Sequence, residues 1–252
     1  NARLLVAYSA LRGTLFCIPV ITIFWKDQIG MSLTEIFVLQ AIFSFAMAVL
    51  EFPAGYVADR IGYRKALLLA AALTIAGWTA YAMARTFTEV IVAEVLLGAG
   101  FAFHSGSDSA LLYTSLAADG ASGGYAAAEG RLRASFSFAE GISSSVGGWL
   151  YSITPRLPLW LQVPGVVAAL CTVLAMREAP RDAAAPRSHQ RHVRKILRTA
   201  MWSNAGLASA LWLGVILSLA SFLGRFLELP ERIVKDSQVV PRHPVSGIGL
   251  FP

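Results

Sequence analysis

Six ionisable side chains, Arg12, Glu51, Glu94, His104, Asp108 and Glu140, fall inside long apolar stretches of this 252-residue chain. A charge at bilayer depth costs about 2.5–3.5 kcal/mol on insertion scales, so each such group is expected to face a cavity, a partner or a pathway for solute or protons. At 1.5 Å per residue, Arg12 lies roughly 12 Å into the first apolar run. Glu51, eight residues before Asp59, lies roughly as deep in the second. Matched depth predicts an Arg12–Glu51 ion pair, serving either to neutralise two buried charges or to handle a substrate charge or a proton. In the fourth run Glu94, His104 and Asp108 fall within about 80° of one another at 100° per residue, which predicts a shared inward face. Glu140 reaches a depth in the fifth run similar to that of Glu51 in the second. A carboxylate held away from water exchanges its proton near neutral pH, so at least one of Glu51, Glu94 and Glu140 is expected to relay protons.

The run His104-Ser105-Gly106-Ser107-Asp108 also offers the residue types of a hydrolytic triad or an i, i+4 metal pair. One helical turn is a poor triad, because nucleophile, base and orienting carboxylate converge from different elements. A metal pair finds no clear third His or Cys ligand nearby. His189, His192 and His243 lie in polar segments, and Cys17 and Cys171 sit in apolar ones without CxxC spacing. No enzyme activity, metal or cofactor is therefore expected.

The composition explains why charges are conspicuous. Residues are 56% hydrophobic and only 14% charged, against about 25% charged in a soluble domain. The net charge of +6 could attract nucleic acid, but the basic residues cluster between apolar runs, where they face anionic lipid head groups instead. An all-α polytopic membrane protein is expected. About 20 apolar residues cross a hydrocarbon core, and seven segments fit: Leu4–Trp25, Glu35–Val57, Lys65–Ala84, Glu89–Leu116, Leu132–Ile153, Leu157–Met176 and Thr199–Leu223. Alternate loops hold twelve and three Lys and Arg residues, with Arg177 to Arg198 the densest stretch. This asymmetry places the N-terminus and that stretch in the cytoplasm.

The expected organisation is a six-helix transmembrane bundle over 1–176, a basic cytoplasmic linker over 177–198, a seventh helix over 199–223 and a non-spanning tail over 224–252. The tail, with scattered charges and four prolines, reads as disorder or as the mark of a truncated or frameshifted chain. An N-terminal residue other than methionine, with no signal-peptide cleavage site behind the first run, also reads as truncation. Pro19, Pro53 and Pro164 should kink their helices. Trp25, Trp149, Tyr151 and Trp160 should anchor at the membrane interface.

Between the second and third spans the chain reads Gly55-Tyr-Val-Ala-Asp59-Arg60-Ile-Gly62-Tyr63-Arg64-Lys65. Gly55 would admit a close helix and Gly62 a tight turn. Asp59 stands at a helix end beside Arg60 and Arg64. This segment resembles the G-x-L-a-D-r-x-G-r-k signature of the major facilitator superfamily of secondary transporters, with Val57 and Tyr63 as departures. The resemblance covers residues 1 to 223 and implies a six-helix half followed by the start of a second. It implies a gate at Gly55, Asp59, Arg60, Gly62, Arg64 and Lys65, in which the aspartate faces a helix N-terminus of the other half.

Where the family often carries R-x-x-x-G in the fourth helix, this chain has Glu94-Val-Leu-Leu-Gly98, so roles tied to that arginine do not carry over. The antiporter pattern of the fifth helix keeps its glycine pair, Gly147 and Gly148, but not its proline. Together with Gly141 these glycines should let a helix of the second half pack closely.

The resemblance implies alternating-access transport of a small solute through the cell membrane, with possible proton coupling; the retained glycine pair leans toward efflux-type antiport. The chain would then need its missing C-terminal half or a second copy. The rival reading is a non-transporting membrane assembly subunit, or an inert fragment of a transporter.

Overall fold

The computed structural model describes residues 1–178, all within the first of two units of the chain, Asn1–Arg181. The expected seventh helix, most of the linker and the tail lie outside the described residues. Eight α-helices run in order: α1 (Ala2–Arg12), α2 (Ile21–Phe24), α3 (Leu33–Ile61), α4 (Tyr63–Met83), α5 (Phe87–His104), α6 (Ser107–Ala118), α7 (Tyr125–Ile153) and α8 (Leu157–Ala175). No strand occurs among the described residues.

Local chemistry sets the helix ends. Ser32 opens α3 with a capping box, its hydroxyl accepting from the Glu35 amide while the Glu35 carboxylate accepts from the Ser32 amide at 2.8 Å. Thr86 caps α5 through the Glu89 amide. A single residue, Gly62 at φ 112°, separates α3 from α4, in a backbone region that a side chain would strain.

Four helical segments are long and apolar enough to cross a membrane: Leu33–Ile61, Tyr63–Met83, Phe87–Ala118 and Leu157–Ala175. They match the expected second, third, fourth and sixth spans. The fifth, α7, has full length, but Glu129, Arg131, Arg133, Glu140 and a run of serines dilute its apolarity. The first departs most from expectation. It forms one helix only as far as Arg12, unwinds over residues 13–20, and resumes as α2 and a π-helical turn, Trp25–Ile29. The fourth span breaks too, at Ser105 and the left-handed Gly106, φ 77°.

The packing repeats itself. α5 lies between α3 and α4, α1 lies between α7 and α8, and α4 meets α8. Exchanging the first, second and third spans for the fourth, fifth and sixth leaves this pattern unchanged. The exchange pairs the two broken spans, the two 29-residue helices α3 and α7, and the two shorter ones, α4 and α8. A three-helix repeat, invisible in the sequence, is therefore visible in the packing.

Leu5, Tyr8, Leu67, Leu111, Leu112, Leu132 and Val173 form a buried cluster where α1, α4, α6, α7 and α8 converge. The outer faces are apolar as well: Phe45 on α3 and Phe138 on α7 are 71% and 73% exposed. Such faces suit lipid or further helices and not water. Trp149 and Trp160 are exposed as interface anchors should be, but Trp25 is only 4% exposed. It serves inside the bundle.

Candidate functional site

The unwound segment 13–20 exposes peptide groups at membrane depth, where each needs a partner. Two buried side chains supply them. The Leu15 amide donates to Ser143 Oγ at 2.9 Å, and the Phe16 amide donates to Gln162 Oε1 at 3.2 Å. The Thr14 hydroxyl returns to the Leu11 carbonyl at 2.6 Å. Glycines let the segment seat. A Cβ on Gly13 would strike the Phe136 carbonyl, one on Gly147 the Phe16 carbonyl, and one on Gly165 the Thr14 hydroxyl. Gly147 thus packs on the first span of its own half, not on a helix of a second half as expected. Gly141 and Gly148 meet nothing within 4 Å among the described residues, so their surfaces are open to another helix.

At the two breaks a polar network joins α1, α5, α6 and α7. Tyr8 Oη lies 3.2 Å from His104 Nδ1. His104 Nε2 lies 3.3 Å from Asp108 Oδ2, at ion-pair distance but without hydrogen-bond alignment. Asp108 offers only acceptors on that side, which favours the tautomer with the ring proton on Nε2. Asp108 also accepts from the Ser109 amide at 2.8 Å and faces Arg133 at 3.7 Å. Arg133 in turn pairs with Glu129 at 2.8 Å, and Ser109 bonds both. A buried aspartate in the first turn of α6 thereby gains helix-dipole, imidazole and guanidinium support.

A second network lies some seven residues into α5. Trp25 Nε1 donates to Tyr81 Oη, which donates to Glu94 Oε1 at 2.9 Å. All three residues are buried. Glu94 is therefore separated from His104 and Asp108, and the expected single face of the fourth span divides into two sites. Ten residues, about 15 Å along the continuous α5, part Glu94 from His104, and the break at Ser105 and Gly106 lies beyond both.

The expected Arg12–Glu51 pair does not form. Glu51 is exposed and accepts from Ser105 Oγ at 2.8 Å, across to the break of the fourth span. Arg12, the last residue of α1, stacks its guanidinium 4.7 Å from the Phe136 ring centroid and 5.7 Å from that of Phe101. Equal depth along two helices set the two at one level but not on facing sides. Glu140 is half-buried and acts electrostatically on Arg12.

At the signature loop, Asp59 accepts from Tyr63 Oη at 3.1 Å, so one of the two residues that depart from the family pattern is bonded to the aspartate expected to gate. Arg60 stacks over Tyr56 at 5.0 Å. Arg64 donates through Nε to the Val173 carbonyl at 3.2 Å and through Nη2 to the Leu174 carbonyl at 2.8 Å, closing the last turn of α8. A cation at a helix C-terminus is favourably placed against the dipole. Lys65 is exposed. A Cβ on Gly55 would meet nothing within 4 Å among the described residues, so no close helix there uses the room that it leaves.

The reading of the sequence missed Tyr8, Tyr81, Glu129, Arg133, Ser143 and Gln162. Gln162 was the legible one, an amide alone in an apolar span. The serines of α7 act as donors and acceptors for the unwound backbone, a role that nothing in their local sequence marks.

The sequence pattern of the Major Facilitator Superfamily matches residues 4–234, reaching eleven residues past the expected seventh helix. No curated protein sequence matches the chain. Among solved structures, the crystal structure of a mutant of the peptide transporter POT in complex with sulfate is similar, with a TM-score of 0.60 at 15% identity. The likeness covers 92% of this chain and 51% of that one, so the chain spans about half the length of that transporter. At this identity it is a likeness of fold.

Proposed function

As this chain belongs to the Major Facilitator Superfamily, we propose that it is the N-terminal half, with the start of the second, of a carrier that moves a small solute across a cell membrane by alternating access. The observation that carries this reading is the pair of spans broken at membrane depth, joined through Tyr8 and His104. Interrupted helices supply the polar backbone and the bending points on which a midplane site depends. The N-terminus and the basic linker lie in the cytoplasm, and Asp59 with Arg64 forms part of the gate on that side. Completion of the crevice requires the missing half or a second copy.

Proton coupling is assigned to at least one of Glu51, Glu94 and Glu140, of which Glu94 is the one held away from water, behind Tyr81. Efflux by antiport is the direction we adopt. The test is solute flux in proteoliposomes of the complete carrier. At least one of Glu51→Gln, Glu94→Gln and Glu140→Gln should abolish proton-driven flux while folded yield is retained; unchanged flux in all three would remove the relay.

The Asp108–Arg133–Glu129 network favours the rival reading of an assembly subunit, since all three charges are spent on one another. That reading predicts the reverse result, lost yield without any flux to lose.

A further inference from the structure

We propose that the solute carried presents an anionic group, a carboxylate or a phosphate, to the guanidinium of Arg12 at the break of the first span; this rests on the transport reading. Among the described residues Arg12 is a charge without a counter-ion: the ion pairs there join His104, Asp108, Arg133 and Glu129, and no carboxylate comes within 4.0 Å of Arg12. Its Nε is buried and has no hydrogen-bond partner among the described residues. The two carboxylates that act on it from farther away are Asp108 and Glu140. Asp108 is already engaged by His104, Arg133 and the Ser109 amide. Glu51, at matching depth, is bonded to Ser105.

The surroundings hold the guanidinium without neutralising it. Contacts with Phe101 and Phe136 use its flat faces, and its N–H donors lie in its plane, where they form a fork that fits two oxygens of a carboxylate or phosphate. The void of about 10 Å³ bordered by Tyr8, Arg12, Thr74, Trp78, Phe101 and His104 has room for one water at most. The void is therefore too small for the anion itself, which reaches the half-buried Arg12 from outside it. A cationic solute would be repelled at this position. A neutral one would leave an uncompensated charge at bilayer depth.

The test uses the full 252-residue chain with ¹⁵N-labelled arginine, in nanodiscs of phosphatidylcholine. The Arg12 Nε resonance is identified by its loss in Arg12→Lys. Acetate and inorganic phosphate are titrated at constant ionic strength, with acetamide and choline as neutral and cationic controls. The resonance should move saturably with acetate or phosphate and stay still with the controls. Tryptophan fluorescence should show Arg12→Gln weakening anion binding about tenfold or more, with Arg12→Lys recovering only part of it, since an ammonium keeps the charge but not the fork.

A resonance that neither anion moves, or that acetamide moves equally, overturns the proposal, as does unchanged anion affinity in Arg12→Gln. If Arg12→Gln does not fold, the wild-type titration decides alone. Addition of phosphatidylglycerol that drives the resonance to its saturated position without free anion would assign the seat to a lipid head group, and overturn a solute role. Failure of the transport reading looks different: the anion binds at Arg12, but no solute crosses in the complete carrier.

Discussion

At the scale of single residues, the two polar networks make opposite demands on substitution. Tyr81 stands between Trp25 and Glu94, both buried, so Tyr81→Phe strips a partner from each while preserving shape. Leaving such groups unpaired costs about 1–3 kcal/mol, and the loss should appear as a lowered unfolding midpoint in detergent. Loss of Leu67, fully buried where α4 meets the core cluster, acts through a cavity, and Leu67→Ala should cost about 2–5 kcal/mol in the same measurement. The ionisable residues at issue were legible from the sequence because a charge in an apolar run stands out. Their partners were not, since depth along a helix fixes one coordinate and partnership needs two more. Arg12 and Glu51 share a level, yet one lies against aromatic rings and the other bonds a serine.

At the scale of elements, the glycines of α7 separate two kinds of packing. Gly147→Ala should force the Phe16 carbonyl away and destabilise by about 1–3 kcal/mol, as overpacking does. Gly148→Ala, with nothing within 4 Å among the described residues, should leave thermal stability unchanged or raise it by up to about 1 kcal/mol through helix propensity. Equal losses in both would show that residue type alone, and not the seated segment, sets the effect. Four of the six expected spans within the described residues were readable as single helices, because about twenty apolar residues between polar loops admit little else, and the fourth was readable as a span though not its break. The broken first span was not. Its residues are as apolar as those of a continuous helix, and the helix gives way because Ser143 and Gln162, far along the chain, offer its peptide groups alternative partners. Gly13 and Pro19 mark the weak segment locally, but the competition for its peptide groups is tertiary.

At the scale of the whole molecule, the residues proposed to gate the carrier lie at the junction of α3 and α4. Arg64 is committed to the end of α8, which divides the signature into a residue that braces its own half and Asp59, which accepts from Tyr63 Oη and is the one proposed to gate. Asp59→Asn in the complete carrier should slow flux several-fold and change the accessibility of cysteines introduced on the cytoplasmic side, with folded yield retained. Arg64→Ala should instead lower yield or thermal stability first. Identical effects of the two substitutions would deny the division. The membership was legible from this loop alone, whereas the repeat that relates three spans to three became visible only in the packing.

The unwound segment also sets a timetable. Leu15 and its partner Ser143 are 128 residues apart, so at a synthesis rate of about 5–20 residues per second the partner emerges roughly six to twenty-five seconds after the segment that needs it. During that interval the first span must either wait inside the insertion machinery or enter lipid as a provisional continuous helix, and be recut when the fifth arrives. Biogenesis of this half is therefore a two-pass event: its first helix is made first and finished among the last.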